Sequence, residues 1–320
     1  MRALAMRVPA RCESAAVRSP RSRKNTALTA GGLRKSIAWI PLVLFPLAAF
    51  ALRNRLAAWE FMWLLAVAIF AGCKWQSWRS SAAERSSRDW RRSLGYLLLW
   101  PGMNASEFFD TAYANERIAP GDWLAAFAKT LTGGALIFFA ARFLVTVRPP
   151  LAGWAAMVGL VLLLHFGTFQ LIALAWKSAG IHAEPIMRRP LASQSLAELW
   201  GKRWNLGFRQ LSHTLVYQPL QRRFGAAAGM LAAFLVSGLI HDLVISVPAR
   251  GGYGLPTAYF LVQGLGVLIE RSTIGRRAGL ARGVPGRVWT IFVALGPVFL
   301  LFHPWFVMRV IVPFLRAIGG

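Results

Sequence analysis

Residues 225–247 read GAAAGMLAAFLVSGLIHDLVISV, without lysine, arginine or glutamate and with one His–Asp pair, His241–Asp242, late in the run. At ~1.5 Å per residue a helix of this length crosses a ~30 Å hydrocarbon layer. A helix apolar on every side lies either in a large core or in lipid. Outward from it, further apolar segments fall at 36–52, 57–73, 124–147, 151–176, 254–270 and 288–302, with a broken eighth at 305–317. The whole chain is 56% hydrophobic and only 15% charged, with a mean hydropathy of +0.47. A soluble domain of 320 residues needs far more charge to cover its surface. The expected fold is therefore all-α: a polytopic transmembrane helical bundle of about seven to eight spans, embedded in the lipid bilayer.

Charge sets the orientation. There are 37 Lys and Arg against 12 Asp and Glu, a formal net charge of +25. In a soluble protein that balance points to nucleic acid. Here the basic residues cluster between apolar runs, as cytoplasmic loops do, and nucleic-acid binding is set aside. With the N-terminus cytoplasmic, the stretch Lys74 to Arg92, the long segment Lys177 to Arg223 and the cluster Arg271, Arg276, Arg277, Arg282 all fall inside. The opposite loops then hold only Arg53, Arg55, Arg148 and Arg250. Arginine in preference to lysine and abundant alanine point to a GC-rich bacterial genome, hence the inner (cytoplasmic) membrane. Residues 1–35 are rich in Arg, Ser and Ala with no apolar periodicity, which reads as a basic disordered tail. The same composition also suits a transit peptide or a start codon placed too far upstream. The domain proper is 36–320. Cys12 and Cys73 make no metal-ligating spacing.

Two stretches are too irregular for plain spans. Leu94 to Pro101 (LGYLLLWP) is too short to cross and ends in Pro-Gly, so a re-entrant or interfacial helix is expected. From Pro190 to Leu220, Trp200, Trp204, Phe208 and Tyr217 interleave with Lys202, Arg203, Arg209 and His213, which suits an interfacial helix.

Ionisable residues inside apolar spans are costly and so are functional candidates. Glu60, Arg142 and Glu270 lie near span ends, where interfacial solvation accounts for them. His303 precedes Pro304 at a helix break, which suits a structural role. His165 and His241 sit within spans, and a haem protein would draw on both. Ser237 and Gly238 precede His241 by four and three residues and share its helical face. Asp242 points about 100° away, which argues against a His–Asp relay within one helix. Two readings of His241 stand side by side: a packing hydrogen bond to a neighbouring helix, or a base in a dry site.

Taken in order, the blocks E-L-W-G-K-R-W-N (198–205), Y-Q-P-L (217–220), F-L-V-S-G-L-I-H-D (234–242), Y-F-L-V-Q-G (259–264) and Glu270 resemble the wax-synthase-like branch of the membrane-bound O-acyltransferase superfamily. The resemblance is strongest over 191–270 and fainter at W-P-G-M (100–103) and F-H-P-W (302–305). It implies transfer of an acyl group from acyl-CoA, or another thioester, to a hydroxyl acceptor, with no cofactor beyond the co-substrate. It implies His241 and Asn205 as the catalytic pair, 241 − 205 = 36 positions apart. Plant wax synthases carry Glu after that histidine where this chain has Asp242, which bears on the acceptor. His241 is expected as general base, with Asn205 holding a carbonyl or oxyanion or orienting the acceptor. Trp200, Trp204 and Ser237 are expected to meet substrate, with an acyl-serine at Ser237 as a minor alternative, and Lys202, Arg203, Arg209, Arg222 and Arg223 to face the phosphates of coenzyme A. The alternatives are a transporter, for which neither inverted repeats nor paired broken helices are present, and a non-catalytic membrane protein of the same fold. His241 lies 16 residues from Gly225, roughly 24 Å along a straight helix. Either the thioester reaches it through a deep path, or the span begins later.

Overall fold

A computed structural model describes residues 38–81, 90–111, 113 and 117–319. The basic tail expected at 1–35 lies outside the described residues, as does much of the loop after Ser80. Every regular element among the described residues is a helix. Five helices are long and apolar enough to cross a membrane: Ala58–Ser80, Pro120–Val147, Pro149–Ser178, Ala226–Ala249 and Gly283–Leu301. The other apolar runs form shorter helices, Ile40–Ala51 with 12 residues, Leu255–Arg271 with 17, and the broken 304–317. Leu98, Phe139, Phe143, Leu151 and Phe292 point outward and are exposed. So many large apolar side chains on the outside of a bundle suit lipid and not water.

One expected boundary is corrected. The apolar run that ends at Cys73 continues as helix to Ser80, so Lys74 belongs to a helix and not to a loop. It is 1% exposed. Its Nζ donates to the Gly102 carbonyl at 2.6 Å and lies 3.2 Å from the Tyr96 ring centroid. A charged residue ends a hydropathy window without ending a helix, provided the fold supplies an acceptor and a π face. Gly102 belongs to the W-P-G-M turn after the helix Trp90–Leu99. That turn packs against Gly207, where an added Cβ would sit 3.1 Å from the Met103 nitrogen.

Several helices contain π-helical turns, at Leu136–Ala141, Val161–Thr168, Leu199–Arg203, His213–Tyr217, Asp242–Ser246 and Val307–Ile311. Each inserts extra residues into a turn and rotates the downstream side chains relative to a 3.6-residue period. The core runs through the middle of the bundle: Met157, Tyr259, Phe260, Phe306 and Val310 are buried together. A smaller cluster, Tyr96, Trp100 and Phe108, seats the 90–99 helix against Trp176.

Candidate active site

The site is built from three pieces: the 196–203 segment, the helix beginning after Asn205, and the facing pair Ala226–Ala249 and Leu255–Arg271. The last two helices touch at Gly238, where an added Cβ would lie 2.6 Å from the Thr257 Cα. Only glycine permits that approach.

His241 sits on this face, half-buried. Its Nδ1 is 2.7 Å from the Ser237 backbone carbonyl. A carbonyl can only accept, so Nδ1 carries the hydrogen and donates it. Nε2 then holds the lone pair of a neutral imidazole, and no hydrogen bond engages it among the described residues. The Phe260 ring lies against the imidazole, 4.4 Å between centroids. Ser237 thus contributes its backbone oxygen to His241. The helix itself begins at Ala226. His241 is about 22 Å along it at ~1.5 Å per residue.

Asp242 does not face His241. It accepts from the Gly254 amide at 2.8 Å, the Thr257 amide at 3.0 Å and the Thr257 hydroxyl, and Ser246 donates to it at 2.9 Å. These bonds satisfy amides at the start of the Leu255–Arg271 helix. Ser246 also meets His303 Nε2 at 3.2 Å, and His303 Nδ1 accepts from the Phe306 amide, capping the short helix beyond Pro304.

Glu270, at the other end of that helix, requires a second correction. It is 2% exposed and not solvated at the interface. Its carboxylate accepts from the Leu196 amide at 2.6 Å and the Ala197 amide at 3.4 Å. A charged acceptor at free helix-start amides is favoured by both hydrogen bonding and the helix dipole. The carboxylate therefore fixes the segment that carries Trp200 and Trp204. Trp200 donates through Nε1 to Gln263 Oε1 at 3.3 Å, and the fully buried Gln263 donates onward to the Val293 carbonyl at 2.8 Å.

Asn205 adopts left-handed backbone, φ 42°, and caps the helix beginning at Leu206, accepting at Oδ1 from the Phe208 amide at 3.4 Å. Asparagine tolerates that conformation better than other non-glycine residues. Capping occupies one side of the amide carbonyl and leaves the Nδ2 hydrogens as donors. No hydrogen bond joins Asn205 to His241 among the described residues. They are linked through an aromatic ladder in which Trp204 meets Trp200 at 6.2 Å, Trp200 meets Phe260 at 5.8 Å, and Phe260 meets His241. Phe166 closes on Trp204 from the other side at 6.2 Å. The neighbouring His165 keeps its Nδ1 buried without a hydrogen-bond partner among the described residues.

The cations divide. Arg203 donates from Nε and Nη2 to Glu198 at 2.8 and 2.6 Å, and from Nη1 to the carbonyls of Arg188 and Arg189. Its guanidinium is thus bonded within the segment. The Gln194 amide, joined by Arg203, holds the Glu198 carboxyl below its ordinary range. Lys202 is exposed and stands beside it. The aromatic spacing of four made the Trp200–Trp204 face legible in the sequence. Gln263 and Glu270 act across 63 and 73–74 positions, a separation that no local pattern signals.

Residues 183–262 match the model of the membrane bound O-acyl transferase family. A long-chain-alcohol O-fatty-acyltransferase of Simmondsia chinensis is 29% identical over 133 residues, 38% of each chain. A probable long-chain-alcohol O-fatty-acyltransferase of Arabidopsis thaliana is 34% identical over 100 residues, 28% of this chain and 29% of its own. An acyl-CoA–sterol O-acyltransferase of Arabidopsis thaliana is 28% identical over 152 residues, 42% of this chain and 44% of its own. The aligned part thus spans less than half the length of these curated relatives. Asn205, His241 and the aromatic ladder between them all lie inside the stretch that matches the membrane bound O-acyl transferase family.

Proposed function

We propose that this protein is a membrane-embedded O-acyltransferase that moves an acyl group from acyl-CoA to a hydroxyl acceptor, with His241 as general base. The observation that carries the reading is the fixed tautomer of His241: Nδ1 is committed to the Ser237 carbonyl and Nε2 is left as a lone pair inside an apolar bundle.

In the proposed reaction the acceptor hydroxyl gives its proton to Nε2 as its oxygen bonds to the thioester carbonyl carbon. The tetrahedral intermediate then expels sulfur, the C–S bond breaks, and the imidazolium returns the proton to the departing thiolate. The Asn205 Nδ2 hydrogens supply donors for the carbonyl oxygen as it gains charge, or orient the acceptor. Trp200, Trp204 and Phe260 exclude water that would otherwise hydrolyse the thioester. Ser237 contributes through its backbone, and an attack by its hydroxyl is not needed. Lys202, exposed beside the segment, is the cation free to meet a coenzyme A phosphate, and Arg203 serves by shaping that segment. The basic segments face the cytoplasm in this reading, the acyl donor approaches from there, and the membrane is the bacterial inner membrane. The names of the similar proteins support an apolar alcohol as acceptor.

The test is release of free coenzyme A thiol by purified protein in nanodiscs. Acetyl-CoA or palmitoyl-CoA and a panel of alcohols, sterols and sugars would be supplied, with His241→Ala alongside. Acceptor-dependent release that falls about 10²- to 10⁴-fold in the variant is expected. Equal rates for a folded His241→Ala protein would remove the base from the mechanism.

A further inference from the structure

At the far end of the Ala226–Ala249 helix, about 35 Å from its start at ~1.5 Å per residue, a cavity of about 570 Å³ opens between that end and the loop joining Ile40–Ala51 to Ala58–Ser80. Arg53, Arg250 and Arg309 all line it, beside Asn54 and Tyr253, over an apolar floor that includes Phe50. No acidic residue lines it among the described residues. Glu60, close by in sequence, is spent on the Ala57 amide at 2.8 Å. None of the three arginines has an ion-pair partner among the described residues. Three guanidinium groups on one cavity repel one another unless an anion joins them.

Two further observations distinguish this from a scatter of interfacial arginines. Arg250 ends its helix in left-handed backbone, φ 50°, ψ 44°. At that position glycine is the default, because a Cβ is disfavoured there. An arginine keeps this unfavourable conformation in the lining of the cavity, and such strain is characteristic of ligand sites. Arg309 is held in the lining by donating from Nη1 to the carbonyls of Ala249 and Arg250 at 3.2 and 3.1 Å. Arg53 stacks over the Phe50 ring at 4.4 Å.

We infer that this cavity binds a phosphate-bearing anion, with the phosphate forked by Arg53, Arg250 and Arg309 and an attached hydrocarbon chain lying along the apolar floor. Guanidinium forks match phosphate oxygens in geometry and charge. The cavity lies a membrane thickness from Ala226, at the level of lipid headgroups, so an anionic phospholipid supplies both parts. The inference is independent of the acyl-transfer reading, because it concerns the opposite end of the helix and is tested by binding.

The full-length protein would be reconstituted in nanodiscs of phosphatidylcholine alone or mixed with phosphatidylglycerol. Unfolding would be followed by tryptophan fluorescence, with inorganic phosphate added to detergent-solubilised protein as a separate arm. Arg250→Gly and Arg53→Gln are the variants. Phosphatidylglycerol should raise the midpoint above that in phosphatidylcholine. Each variant should weaken its apparent affinity by about tenfold, the loss expected for one charge-assisted contact. Arg250→Gly should itself unfold no lower than wild type in phosphatidylcholine, because glycine relieves the backbone. Protection by inorganic phosphate alone, lost in the same variants, would keep the anion site and assign it to a soluble ligand. Protection by phosphatidylglycerol that survives both substitutions, or none from either anion, would overturn the site. So would a large loss of basal stability in Arg250→Gly.

Discussion

Gly238→Ala places one methyl group at the tightest point between the two helices that form the His241 face. The added Cβ would lie 2.6 Å from the Thr257 Cα, and ordinary contact begins at 3.4 Å, so the helices must separate by 3.4 − 2.6 = 0.8 Å. The same shift lengthens the Thr257 amide to Asp242 bond from 3.0 Å to about 3.8 Å, beyond hydrogen-bonding range. Overpacking of this size costs about 1–3 kcal/mol. That corresponds to roughly 3–9 °C in midpoint, using a few degrees per kcal/mol. Phe260 rides on the displaced helix against the imidazole. A misplacement near 1 Å at a reacting centre can cost about 10² in rate, so thiol release should fall more steeply than stability. Gly134→Ala is the internal control. It lies within a helix with nothing within 4 Å of the new Cβ, and alanine should stabilise it by up to about 1 kcal/mol. Differential scanning fluorimetry on both variants, with turnover on the folded fraction, decides the matter. If Gly238→Ala matches Gly134→Ala in midpoint and rate, the close helix contact does not govern the site.

Asn205 separates structure from chemistry. Asn205→Gly keeps the left-handed turn and should lose only a few tenths of a kcal/mol, whereas Asn205→Ala should lose about 1–2 kcal/mol of cap and backbone compatibility. If both lose turnover alike while only the alanine variant loses midpoint, the amide acts on substrate. A glycine variant with full turnover would confine Asn205 to capping. Glu270→Gln removes the charge from two buried hydrogen bonds and should destabilise by about 1.5–3 kcal/mol. The loosened 196–203 segment should show as a change in Trp200 and Trp204 fluorescence before global unfolding, and an unchanged emission profile would refute that coupling. Burial tends to raise the Glu184 carboxyl, but bonding from Lys177 and the charges of Lys177, Arg188 and His182 hold it below the ordinary 4.5. A depressed folded value means the stabilisation is complete above that pH and is lost as pH falls through the lower folded value. Acid titration with limited proteolysis should therefore find cleavage around 181–189 rising below about pH 4.5 and not between 5 and 8.

The helices were legible because lipid imposes a composition that needs no long-range information. Residues 225–247 read as a crossing, and Ala226–Ala249 is a helix long and apolar enough to make one. Where a single cation met an unforeseen partner, the boundary failed: Lys74 looked like loop because nothing local reveals the carbonyl of Gly102. Glu270 failed for the same reason, since its partners at 196 and 197 are distant in sequence. The face shared by Ser237, Gly238 and His241 followed from helical spacing. That Ser237 serves through its carbonyl, and so sets the tautomer, follows from the helix bringing that carbonyl to Nδ1 and from no feature of the side-chain pattern. Apolar periodicity also lost phase at π turns such as Asp242–Ser246, immediately after the histidine.

The Leu255–Arg271 helix is clasped by acidic groups at both ends, Asp242 at its start and its own Glu270 reaching the 196–197 amides. It behaves as a strut of about 25 Å for 17 residues at ~1.5 Å each. The segment 272–282 beyond its C-terminal end, which includes the short helix Thr273–Arg277, takes no part in the hydrogen bonds that fix the two ends. Insertions and deletions in that segment can accumulate over evolution without moving the His241 face, and mutational drift in this lineage should collect there while the strut keeps its length and 250–253, which carries Arg250 and Tyr253, keeps its sequence.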